Sequence, residues 1–130
     1  MTLNEQIDFW IQTSNDDFRV FNVLFDSENF IHAFFISHLC LEKLLKAHWV
    51  KANNNTIPPK IHNLITLAKQ SNLDLSQEEK TFLTLMNDFQ IAGRYPDYKF
   101  KIKKILNKEY STELLPKFNI IRKCLLEKIV

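Results

Sequence analysis

At 130 residues, 45% apolar and 25% charged, the chain has the size and mixture of one globular domain. Glycine occurs once, at Gly93, which excludes a Walker loop, a dinucleotide-binding glycine loop and a nucleophile elbow, since each needs several glycines close together. The net charge of +2 is mild but uneven: residues 1–28 set six acidic side chains against Arg19 (net −5), and residues 94–108 set six basic ones against Asp97 (net +5). Such asymmetry points to a phosphate-facing end, with a plain solvated face as the simpler alternative.

Leu3, Ile7, Trp10, Ile11, Phe18, Phe21, Leu24 and Phe25 recur at spacings of three, four and seven, which predicts one long amphipathic helix. Asp26-Ser27-Glu28-Asn29 is a polar break rich in capping residues, so a second helix is expected to start near Ser27 and run to about Ala52. Its first half is apolar nearly all round, which suits a central helix covered on one side by the bundle and on the other by another element or subunit. Asn53 to Pro59 reads as a loop, because paired prolines after an asparagine run cannot continue a helix. A short helix from about Lys60 to Ser71 follows. Ser76 and Glu79 form a capping box that opens a helix burying Phe82, Leu85, Met86 and Phe89, with Gly93 placed to end it.

Arg94 to Tyr98 is expected to be irregular or extended, because Tyr95 precedes Pro96. The lysine-rich stretch from Lys99 to Lys108 fits either alternation or a helical turn. The last helix is expected from Ser111 or Thr112, with Pro116 in its first turn and Leu114, Phe118, Ile121 and Leu125 inward. The sum is an all-α, up-and-down bundle of about five helices forming a single domain over residues 1–130. Cys40 and Cys124 stand alone among apolar residues and read as reduced core thiols, which favours the cytoplasm. The acidic start lacks the basic and apolar regions of a secretion signal, and the most apolar stretch, Phe30 to Leu41, is shorter than the ~20 residues a span needs.

Two constellations are candidates for chemistry. On the second helix Glu42 and Lys46 stand four residues apart, in the order that favours an ion pair. Glu42 sits in apolar company, and a buried carboxylate needs a partner. The pair is either structural or an acidic group that orients a ligand. Arg94-Tyr95-Pro96-Asp97 offers a guanidinium suited to bidentate phosphate contacts and an aromatic face for stacking. The same residues also suit a self-contained turn closed by an Arg94–Asp97 ion pair. Lys99, Lys101, Lys103 and Lys104 continue the positive charge as a possible phosphate-facing stretch. His32, His38, His48 and His62 show no metal-binding spacing, and no Ser/His/Asp set is visible, so neither a metal nor a cofactor is expected.

Glu42-Lys43-Leu44-Leu45-Lys46-Ala47, then Pro59 with His62-Asn63-Leu64, then Arg94-Tyr95-Pro96-Asp97, resemble in order and spacing the HEPN (higher eukaryotes and prokaryotes nucleotide-binding) family over about Leu3 to Glu127. The resemblance implies a helical homodimer, binding of a nucleotide or RNA, and pairing with a minimal nucleotidyltransferase in a toxin–antitoxin-like system. A branch of the family consists of metal-independent ribonucleases with an arginine followed, after four to six residues, by a histidine. Here the three positions are Lys99, Phe100 and Lys101, and every histidine precedes Arg94. The reading is therefore a non-catalytic module with Arg94, Tyr95, Asp97, Glu42, Lys46 and His62 as ligand-binding residues. An endoribonuclease toxin and a purely structural dimerisation scaffold are the alternatives.

Overall fold

The computed structural model describes residues 1–129. Among the described residues there are six helices and no strand: α1 (Leu3–Asp26), α2 (Phe30–Asn53), α3 (Leu64–Gln70), α4 (Gln77–Arg94), α5 (Pro96–Ile105) and α6 (Lys108–Lys128). The four long helices run up and down. Phe25 meets Phe30, Phe21 meets Phe34 and Ser14 bonds Cys40, so α2 descends along α1. Phe34 packs on Phe89 while Phe35 lies under Arg94, which sets α4 antiparallel to α2. His48 and Lys51 of α2 reach the carbonyls of Leu125 and Ile129, which sets α6 parallel to it.

Helix α2 is central, as its all-round apolarity predicts, and its surroundings come from this one chain. Ala33, Phe34, Cys40, Leu41, Leu44, Leu45, Ala47 and Val50 are buried by α1, α3, α4 and α6 without a second subunit. Phe21 is the hub where three helices meet. Its ring centroid lies 4.6 Å from Phe118 on α6 and 5.7 Å from Phe34 on α2. Cys40 is fully buried, and burial pushes its thiol up from the ordinary range. Cys124 is only half-buried on α6, so the core placement expected of both thiols holds for Cys40 alone.

Several boundaries differ from the sequence expectation, each for a local reason. Ser27 ends α1 rather than starting α2: its hydroxyl donates back to Val23 O at 2.9 Å, Glu28 takes a left-handed φ of 62°, and Asn29 is the N-cap. Helix α3 starts at Leu64 because Asn63 Oδ1 accepts from the amides of Ile65 and Thr66. The Ser76–Glu79 capping box forms as expected, with both reciprocal bonds present. Gly93 does not end α4. The helix continues through Arg94, and Tyr95, extended at φ −119° because Pro96 follows, is the break.

Arg94 to Tyr98 is accordingly not irregular: only Tyr95 is extended, and Pro96 occupies the first turn of α5, where its missing amide costs nothing. This resolves the lysine stretch as helix and gives the sixth element. Asn107 caps α6 four residues earlier than Ser111, its Oδ1 accepting from Tyr110 N at 2.8 Å. Pro116 therefore lies inside the helix and not in its first turn. Phe21→Ala should cost about 3–5 kcal/mol, seen as a lower urea midpoint with unchanged far-ultraviolet helicity before the transition.

Candidate functional site

Glu42 lies at the midpoint of α2 with 6% of its side chain exposed, and its two oxygens are divided between partners. Oε2 accepts from Lys46 Nζ at 3.1 Å, one turn along the same helix, and Oε1 faces His62 Nδ1 at 2.9 Å. A carboxylate only accepts, so the His62 proton sits on Nδ1 and the half-exposed ring turns its other nitrogen away. His38 Nδ1 lies 3.9 Å from the same Oε1, too far for a bond. On its far side His38 Nε2 meets Asn87 Oδ1 at 3.3 Å, and that oxygen also accepts from Leu64 N at 3.1 Å. The oxygen is thus an acceptor, which places the His38 proton on Nε2. Asn87 Nδ2 closes the chain by donating to Asn63 Oδ1 at 3.2 Å. One buried charge therefore ties α2, the turn before α3, and α4 together.

The second constellation lies elsewhere along the same faces. Arg94 ends α4 two turns beyond Asn87, and its guanidinium carbon sits 5.9 Å from the centroid of Phe35, one turn before His38 on α2. No ion pair to Asp97 or to any other described carboxylate is present, so the closed Arg94–Asp97 turn does not form. Tyr95 and Tyr98 are more than half exposed, and Asp97 sits in the first turn of α5, where the helix dipole favours a carboxylate. Lys99, Lys101, Lys103 and Lys104 are exposed and make no ion pair among the described residues, while Phe100 is 67% exposed beneath Lys104 Nζ at 4.9 Å. The six expected site residues thus fall into two groups. Glu42, Lys46 and His62 are brought together; Arg94, Tyr95 and Asp97 share a corner that no direct contact joins to them.

A scan against known families matches the HEPN domain over residues 7–129, nearly the whole chain. The chain belongs to the HEPN family. Comparison with curated proteins and with solved structures gives no match. For this HEPN domain the six-helix bundle is the all-α fold the motifs imply, and it sets Lys99, Phe100 and Lys101 on the solvent side of α5. None of the three carries an imidazole.

Sequence reasoning missed His38, Asn87 and Phe35. Phe35 and His38 were visible at helical spacing from Glu42, but Asn87 comes from α4 and its approach depends on how the helices cross. No metal-binding group of three or more His, Cys, Asp or Glu exists among the described residues.

Burial lowers the His38 imidazole below its ordinary 6.5, outweighing the opposing pull of the Glu42 charge. Burial lowers His48 likewise, against its bond to the Leu125 carbonyl. Both histidines then hold fewer protons folded than unfolded just below pH 6.5, so stability rises with pH through that window and is lost as pH falls. The urea midpoint should drop on acidification below about pH 6.5, and His48→Gln, which keeps an amide donor for Leu125 O, should flatten that slope. Lys46→Met should destabilise by about 3–5 kcal/mol because it removes the cation bonded to a buried carboxylate. Adding Glu42→Gln should recover most of the loss, and a double-mutant cycle checks it.

Proposed function

We propose that this HEPN domain is a non-catalytic module that binds RNA or a nucleotide through the Arg94 corner and helix α5. The observation that carries the reading is a run of unpaired cations interleaved with exposed aromatics. Arg94, Lys99, Lys101, Lys103 and Lys104 make no ion pair among the described residues, and Tyr95, Tyr98 and Phe100 are exposed between them. Phosphates are attracted by such charge and bases stack on such rings. Arg94 contacts phosphate, with its guanidinium steadied on Phe35; Tyr95 stacks; Asp97 orients Arg94 or meets a ribose hydroxyl. The Glu42–Lys46–His62 cluster sets the shape of the α2–α4 face that carries Phe35 and Arg94. A homodimer, and pairing with a minimal nucleotidyltransferase in a toxin–antitoxin-like system, belong to the same proposal and are supported by family membership alone.

The absence of a histidine among Lys99, Phe100 and Lys101 supports the non-catalytic form. His62 is held instead by Glu42.

A ligand present at a hundred times its dissociation constant should add about 2.7 kcal/mol to stability. Thermal unfolding with nucleotides and a short single-stranded RNA should show this as a raised midpoint that Arg94→Ala removes while helicity is kept. Affinity for the RNA should fall with salt by about 0.7 in log K per log salt for each phosphate contacted, and Lys99→Ala or Lys103→Ala should each reduce that slope. An unchanged midpoint with every ligand would shift the reading to the scaffold alternative. Light scattering should give twice the chain mass if the dimer forms.

A further inference from the structure

A separate cleft of about 470 Å³ opens between the first turns of α1 and the loop before α3, and none of its lining residues belongs to the Arg94 corner or to α5. Its lining includes Trp10, Lys46, Ile57, Pro58, Pro59 and Lys60. That volume falls in the range of small-molecule sites, which are largely apolar with a few convergent polar groups. The walls fit the description: Trp10 and the two prolines are half-buried, and at the rim Ile57 is 76% exposed, a large aliphatic side chain left facing solvent.

The polar group is Lys46, whose side chain is more than nine-tenths buried yet lines the cleft. Its ammonium has three N–H bonds. One goes to Glu42 Oε2, the charge rests 5.4 Å from the Trp10 ring centroid, and the other two find no acceptor among the described residues. Trp10 Nε1, on the same wall, is buried with no partner. A buried donor without an acceptor is unfavourable, and a small turn of the indole would present it to a group arriving at Lys46. The cleft therefore offers donors and no free carboxylate or imidazole. Glu42 already cancels the charge of Lys46, and the remaining cations of the lining are Lys60 at the rim and the terminal ammonium of Met1, neither of them in an ion pair among the described residues. The net positive charge of the lining suits an anionic group, and the apolar walls and rim call for an apolar body, which inorganic phosphate lacks.

We propose that this cleft binds a small carboxylic acid with an aromatic or aliphatic body, its carboxylate on Lys46 and its body against Trp10, Pro58, Pro59 and Ile57. The site shares no residue with the Arg94 corner or the α5 surface, so binding at either can fail without the other.

The test is a titration of the nitrogen-labelled chain with phenylacetate, octanoate, the matching alcohols and inorganic phosphate, followed by chemical shift. The Trp10 indole signal is assigned in Trp49→Phe. Phenylacetate or octanoate should move the Trp10 indole proton and the amides of Thr56, Ile57 and Lys60, and the alcohols should bind at least tenfold more weakly. Ile57→Asp, an exposed rim substitution that leaves the core untouched, should weaken the acids at least tenfold. Lys46→Met should abolish the preference for acid over alcohol, and Arg94→Ala should change nothing. No movement of the Trp10 indole at millimolar acid, equal affinity for acid and alcohol, or a larger response to phosphate would each overturn the proposal.

Discussion

A carboxylate placed at the midpoint of the most buried helix constrains the rest of this bundle. Removing Glu42 from water is costly, and Lys46 and His62 together offset that cost. Lys46 comes from the same helix and would be available in any arrangement of α2. His62 comes from the turn ahead of α3, so its bond fixes where that turn lies. The next residue, Asn63, caps α3 and accepts from Asn87 of α4, and Asn87 returns to α2 through His38. The chain of contacts runs through neighbouring side chains, each with its polar atoms directed, and it pins an otherwise slippery apolar interface in one register. The exception is His38 Nδ1, buried without a partner beside Glu42.

Most of the fold was legible in the sequence because it rests on patterns one helix long. The apolar stripe of α1, the all-round apolarity of α2 and the Ser76–Glu79 capping box each specify their element locally. The errors fall where two local signals compete. Gly93 looked like a terminator, but Pro96 acts on the backbone of Tyr95 directly, and a glycine inside a helix costs only about 1 kcal/mol. Pro116 looked like a helix start, but the Asn107 cap and the good helix formers that follow it extend α6 upstream through the proline. Helix α5 was ambiguous because none of its residues is buried, so no apolar face declared its period.

The site was legible in its residue types and not in its grouping. Glu42, Lys46 and His62 do converge, since two of them share a helix face and a buried carboxylate recruits the nearest donor. Arg94, Tyr95 and Asp97 do not join them, because α4 carries Arg94 two turns past Asn87. Phe35 links the two places: it lies on the same face of α2 as His38 and Glu42 and underlies the guanidinium. The exposed cations of α5 make no ion pair with the acidic side chains of α1, two of which are occupied. Asp16 pairs with Arg19 and Asp17 with Lys43, while Glu28, in the turn after α1, pairs with Lys108 at the start of α6. The uneven charge seen along the sequence thus survives folding as an open basic helix.

The open face of α5 and its Arg94 corner are where we propose that a nucleic acid sits. Chemical-shift mapping of a short single-stranded RNA on the labelled chain locates the contact surface residue by residue. The shifts should concentrate on residues 94–104 and on Phe35, and should fade together as salt is raised. Saturable binding that leaves 94–104 unmoved and perturbs another face would contradict it.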